Sequence, residues 1–331
     1  MRRSPAIPIL FKEFAVQMRG SRAALLIAVY VGLAIVAARL IYGLVAGELD
    51  RGAPLVAAQI GQVLFIGLSM GLQALLVFLA PATTVNAISG EHERGTYQLL
   101  LTTPVTPLQL VAGKLAAALA FLLLLLLAAL PVFAVVVLFG GITAAEILRV
   151  AGTLVVTAVA GCAFGLLCSA VTRQTYSATL LCYALLVSLV GGSLFAANVW
   201  SLVNGLTAAP PWLLVANPLS AMASALSPTR PPSTSLTGGL RPLALLNLLT
   251  SGALGGGAGS SAAPLYRATA VLYAIASLLI FWATLHVVAP LRRWRPTIVD
   301  AALLVLLLGC LVLAYGARAW WLPGLVRGLP G

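Results

Sequence analysis

Seven separated stretches of the chain are long, apolar and nearly free of charge, near residues 23–46, 57–87, 111–139, 149–171, 177–203, 266–288 and 298–317. A run of about 20 such residues matches the hydrocarbon thickness of a bilayer. In hydrocarbon every backbone N–H and C=O must find its partner within the protein, and a helix does this within one segment. The runs therefore predict an all-α polytopic membrane protein with seven crossings. A transmembrane β-barrel needs short segments of alternating polarity instead. Composition agrees, because 61% of the 331 residues are hydrophobic and 8% are charged. The mean hydropathy of +1.08 lies far above that of a soluble domain.

In a soluble protein the formal net charge of +12 would point to nucleic acid. Here the basic residues sit at the ends of apolar runs, where membrane topology uses them, so no nucleic-acid partner is expected. One side collects the larger share of cations: the early Arg2, Arg3, Lys12, Arg19 and Arg22, then Arg94, Lys114, Arg173 and the cluster Arg292, Arg293 and Arg295. The positive-inside rule makes that side cytoplasmic and places the N-terminus on it. The first run is longer than the apolar core of a signal peptide and reads as an uncleaved span. Within 1–22, Leu10, Phe11, Phe14, Ala15 and Met18 share one helical face and Lys12, Glu13, Gln17 and Arg19 the other. That pattern predicts an amphipathic helix lying on the cytoplasmic leaflet. Arg39, late in the first span, is placed to snorkel to the outer interface.

Residues 204–265 are rich in Pro, Gly and Ser, contain no acidic residue, and read as an external loop. Within it, Trp212 to Val215, before Asn217-Pro218, can form a short helix dipping into the outer interface. Two glycine pairs spaced four apart, Gly67 with Gly71 and Gly161 with Gly165, offer surfaces that another helix can approach closely.

Catalytic patterns are few. Cys162, Cys168, Cys182 and Cys310 all lie within apolar runs without C-x-x-C spacing, and read as inert buried thiols. No phosphate-cradling G-x-x-x-x-G-K-[ST] occurs, and the glycine run at 255–261 lacks its lysine, so neither ATP nor another cofactor is expected in this chain. An intramembrane hydrolase would need a nucleophile beside a positioned base. The histidines, His92 and His286, stand in a connection and near the end of a span. A mechanical transmitter acting on an external partner would want a folded external domain, for which a Pro/Gly/Ser-rich loop is unfit.

The connection between the second and third runs is the most informative segment, 88–110. Glu91, His92, Glu93 and Arg94 crowd together in a chain that otherwise avoids charge. Gly95 is placed to end the helix emerging from the second span. Thr96 can then open a short helix whose Leu99, Leu100 and Leu101 present an apolar surface, with Pro104 closing it. Thr106 supplies an N-cap, Pro107 a first-turn residue and Gln109 the reciprocal member of a capping box that starts the third span. Glu91 and Glu93 are two apart and so on different faces, which leaves one of them for a neighbouring subunit or the N-terminal helix. A short crosswise helix of this kind fits a partner's groove and transmits displacement. Spacing alone allows an ordinary solvated turn equally well.

Ile88 to Lys114 closely resembles the E-x-E-R-G-T…L-L-L-T-T-P…G-K-L signature of ABC-2 type transporter permeases. The matching residues are Glu91, Glu93, Arg94, Gly95, Thr96, Leu99, Leu100, Leu101, Thr102, Thr103, Pro104, Gly113, Lys114 and Leu115. The likeness in layout covers residues 1–290. It implies an ABC-2 type transmembrane domain over 23–290 with six core helices, paired with a second, identical or paralogous permease subunit. Each subunit would dock on a separate ABC ATPase subunit, which carries the ATP and Mg. The resemblance further implies that Glu91 to Pro104 contains the coupling helix, and that the complex is a multi-pass exporter of the bacterial cytoplasmic (inner) membrane with lipid around it. The chain departs from the family in residues 291–331, a basic turn followed by the seventh run and a tail. A crossing by that run puts the C-terminus outside, and a re-entrant or surface segment is the alternative. Few ionisable residues lie in the spans, which favours a lipid-like or amphipathic cargo over one held by fixed charges.

Overall fold

The computed structural model describes residues 21–46, 54–96, 106–204, 210–226, 265–288 and 298–322. Within them the elements are α1 (Ser21–Ala46), α2 (Pro54–Thr84), α3 (Ser89–Glu93), α4 (Pro107–Leu138), α5 (Ala144–Val171), α6 (Thr175–Val203), α7 (Pro211–Leu214), α8 (Pro218–Leu226), α9 (Leu265–Val288), α10 (Ile298–Gly316) and α11 (Arg318–Trp321). The seven apolar runs return as α1, α2, α4, α5, α6, α9 and α10, each within a few residues of its expected bounds. Six of these helices, all but α1, are long and apolar enough to cross a membrane, and α1 extends over 26 residues. The amphipathic face expected within 1–22 and the Arg292–Arg295 cluster lie outside the described residues.

α2 is the central element. The main apolar core gathers α1, α2, α4, α5 and α8 around it, with Phe65, Ile66, Leu68, Leu76, Leu122 and Leu125 fully buried. α2 and α5 lie in close contact because α5 presents glycine there. A Cβ on Gly161 would stand 2.9 Å from the Cβ of Ala80, and one on Gly165 2.7 Å from the Pro81 carbonyl oxygen. Of the two glycine pairs, 161/165 is thus a true helix contact. Gly71 is exposed, and nothing lies within 4 Å of the place its Cβ would take.

At the end where α2 begins, the α4–α5 turn folds onto it through Gly140 and Gly141, with φ of 81° and 78°. Gln62 Nε2 donates to Gly141 O at 2.9 Å. The same end receives α7, at the place of the short helix expected over Trp212–Val215, and α8, where the reading of 204–265 as loop is corrected for residues 218–226. α8 is buried against α2, α5 and α9 at every residue but the half-buried Leu219. Its Ser220, Ala221, Ala223, Ser224 and Ala225 are small, which a loop tolerates but which also lets a helix settle among three others. Trp212 on α7 stays exposed and meets Trp200 edge to face at 6.0 Å, as an interfacial anchor does.

α10 runs antiparallel along α9. Val299 and Leu303 adjoin the cluster of Leu285 and Val288 at one end, and Trp321 adjoins that of Leu213, Leu214 and Leu265 at the other. Asp300 lies 3.5 Å from His286 Nε2, while the Arg267 guanidinium stands 4.8 Å over the Trp320 ring.

Candidate coupling site

The connection after α2 is built by diverting backbone donors from a helix. α2 stops at Thr84, earlier than expected, and the chain tightens so that Ala87 N–H bonds Thr84 O at 2.9 Å. The next two donors, Ile88 N–H and Ser89 N–H, are taken by the hydroxyl of Ser169 on α5 at 2.9 and 3.0 Å. Ser169 in turn donates to Ser89 Oγ, which donates to Val85 O. The two diverted N–H donors and both serine hydroxyls are thereby matched within this buried knot. Ser169 was not legible as a site residue; its only mark in the sequence is a hydroxyl close to the end of an apolar run.

α3 then makes one turn and closes in a Schellman motif. Gly95, at φ 68°, donates to His92 O, and Thr96 N–H donates to Glu91 O, both at 3.1 Å. Gly95 therefore terminates this short helix rather than the span itself. Thr96 completes the stop, and the short helix it was expected to open lies outside the described residues. The Thr96 hydroxyl also bonds the Glu91 carboxylate.

The two carboxylates diverge as their spacing requires, and both find partners inside the chain. Glu91 lies 3.6 Å from Lys114 Nζ, which is 6% exposed on α4. Burial pushes the Glu91 carboxyl up, but the Thr96 hydroxyl, the Lys114 ammonium and Arg94 outweigh it and the net shift is downward. Glu93 accepts from Thr175 N–H at 2.7 Å and from its hydroxyl at 2.9 Å, capping the N-terminus of α6. These bonds hold its carboxyl below the usual range. Within the chain one carboxylate thus reaches α4 and the other α6; Glu93 stays exposed, and the N-terminal helix that one of the pair was expected to meet lies outside the described residues. Burial, then Arg173, pulls the His92 imidazole downward. Arg94 is exposed at the helix end.

On its far side the connection rejoins α4 as expected. Gln109 N–H donates to Thr106 Oγ1 at 3.3 Å, Thr106 N–H to Gln109 Oε1 at 3.2 Å, and Pro107 fills the first turn. Leu99, Leu100, Leu101, Thr102, Thr103 and Pro104 lie outside the described residues. Beneath the site Ile88, Leu110, Val111, Leu166 and Leu285 form an apolar floor drawn from α4, α5 and α9. Among the described residues no group of His, Cys, Asp and Glu could hold a metal ion.

This one-turn charged helix, closed at its end, is thus joined to three spans, through Lys114 of α4, Ser169 of α5 and Thr175 of α6. The model of the family described as ABC-2 family transporter protein matches residues 7–317. Among curated proteins none matches the chain. The family match extends from before α1 to the end of α10 and includes the connection built above; the reading of the seventh run as a departure from the family is thereby corrected. The chain belongs to the ABC-2 family of transporter proteins and is a multi-pass membrane permease subunit of an ABC transporter.

Proposed function

We propose that this permease works as an exporter half, pairing with a second permease subunit and docking on a separate ABC ATPase through α3 and the adjoining Leu99 to Pro104. In this reading the connection faces the cytoplasm of a bacterial cell, the α7–α8 end faces outward, and ATP and Mg belong to the ATPase. One observation carries it: the α3 carboxylates and backbone donors are spent on α4, α5 and α6. A partner that displaces α3 thereby displaces three spans together. A solvated turn would have no need of such bonds. The scarcity of ionisable side chains in the spans suits a lipid-like or amphipathic cargo.

The test is to co-express the permease with an ABC ATPase subunit from the same cell, reconstitute the complex in nanodiscs, and compare ATP hydrolysis with that of the ATPase alone. Leu100→Asp is expected to leave the permease inserted but to reduce ATPase recovery and to abolish its response to the permease. Permease purified alone is expected to show no saturable ATP binding. Wild-type recovery and response in Leu100→Asp would remove the segment from the coupling role.

A further inference from the structure

The turn between α7 and α8 takes non-helical backbone into the interior of the helix assembly. There an unpaired carbonyl is costly, and irregular backbone persists only where buried side chains supply donors. α9 supplies two: Thr269 Oγ1 donates to Val215 O at 2.7 Å and Tyr273 OH to Ala216 O at 2.8 Å. Asn217 ties the tip to α6, donating to Val190 O at 2.9 Å and Ser193 Oγ at 2.8 Å. Its own Oδ1 accepts from Leu219 N–H and starts α8.

The remaining donor comes from α2. Gln73 is fully buried, and its Nε2 bonds both Pro218 O at 3.1 Å and Thr157 Oγ1 of α5 at 2.9 Å. The α6 and α9 bonds attach the segment to the helices that flank it in sequence. Gln73 adds a polar tie to the helix that runs into α3, beside the apolar packing of Met222, Ala223 and Leu226 in the shared core. About 16 Å of helix separates Gln73 from the end of α2. Over that length α2 and α5 are joined repeatedly. Gly161 and Gly165 abut Ala80 and Pro81, Thr84 Oγ1 donates to Cys162 O at 3.0 Å, and Ser169 holds Ile88 and Ser89. Sliding of α2 on α5 would break these contacts in series. A displacement applied at α3 is therefore carried along the pair as one body, up to the level of Gln73.

We propose that Gln73 is a positioning residue of the transport cycle, fastening the α7–α8 segment to the α2–α5 pair so that displacement of α3 reaches the opposite end of the molecule. The proposal rests on the coupling role given to α3 above. Two substitutions probe it. Gln73→Met keeps most of the volume without a donor, and Gln73→Asn keeps the amide on an arm too short to reach both partners.

The readout is the reaction of Trp212→Cys, exposed on α7, with a membrane-impermeant maleimide, in a chain without its native cysteines. It is measured in the nanodisc complex with its ATPase, with and without ATP and vanadate. In the parent, trapping the nucleotide is expected to change the labelling rate. Both Gln73 variants are expected to retain ATPase recovery and the nucleotide-free rate but to lose the nucleotide-dependent change. If Gln73→Met fails to assemble, Gln73→Asn decides. Either variant keeping the full change overturns the proposal. So does an altered nucleotide-free rate, which would make Gln73 a packing residue only, or a parent complex that binds its ATPase yet shows no change. Failure of the ATPase to co-purify with the parent overturns the coupling reading instead.

Discussion

Gly95 separates backbone strain from steric conflict. Its φ of 68° suits glycine, and nothing lies within 4 Å of the place a Cβ would take. Any penalty for a substitution there is conformational, about 1 kcal/mol or more for a β-branched residue. Gly95→Val should therefore redirect the chain beyond Thr96 and lower ATPase co-purification, while Gly95→Asn, which tolerates the left-handed region, should retain most of it. Equal recovery from the two variants would mean that the Schellman turn does not set the path of the connection. Glu93 makes a second prediction through its proton. Its carboxyl is lowered by the Thr175 bonds, so the cap on α6 is fully present above the ordinary glutamate range near pH ~4.3 and is lost as pH falls further through the depressed value. Thermal unfolding of the detergent-solubilised protein should show a smaller loss of stability below about pH 4 in Glu93→Gln than in the parent.

Between elements, the α2–α5 contact and the α8 insertion differ in how far the sequence announces them. The small-x-x-x-small spacing at Gly161 and Gly165 was visible, but so was that at Gly67 and Gly71, and only three-dimensional packing distinguishes them. Gly165→Ala should destabilise the protein by about 1–3 kcal/mol, because its methyl would meet the Pro81 carbonyl, which cannot swing aside. Gly71→Ala should be neutral or slightly stabilising in the single chain, since it fills open space on a helix. Melting temperatures in detergent check both, and a Gly165→Ala protein as stable as the parent would show that α2 and α5 adjust easily. The apolar helices and the Thr106–Gln109 box were legible because hydropathy and capping act within a few residues. α8 was not, since the donors that fix its entry stand on α2, α6 and α9, and its small residues look like loop composition. Ser169 was hidden for the same reason: its partner Ser89 lies 80 residues away.

For the whole molecule the open question of the sequence was the seventh run, and α10 narrows it. None of its 18-residue apolar window is buried within the chain, so its surface calls for hydrocarbon or another apolar face. A helix lying along the membrane surface would touch one end of α9. α10 instead meets Leu285 and Val288 through Val299 and Leu303, and through α11 it places Trp320 and Trp321 beside Arg267 and the α7 cluster. The polar contacts sit at its two ends, His286 with Asp300 and Arg267 with Trp320, where a bilayer has interfaces. This geometry predicts a crossing, and with the N-terminus inside it predicts an outside C-terminus. Single cysteines at Ser4→Cys, Ser235→Cys and Gly331→Cys, in a chain without its native cysteines, test both expectations with a membrane-impermeant maleimide on intact cells. Ser235→Cys and Gly331→Cys should react, and Ser4→Cys only after permeabilisation. Protection of Gly331→Cys alongside Ser4→Cys would return α10 to a surface or re-entrant position. Reaction of Ser4→Cys with protection of Ser235→Cys would invert the molecule and place α3 on the side away from any cytoplasmic ATPase.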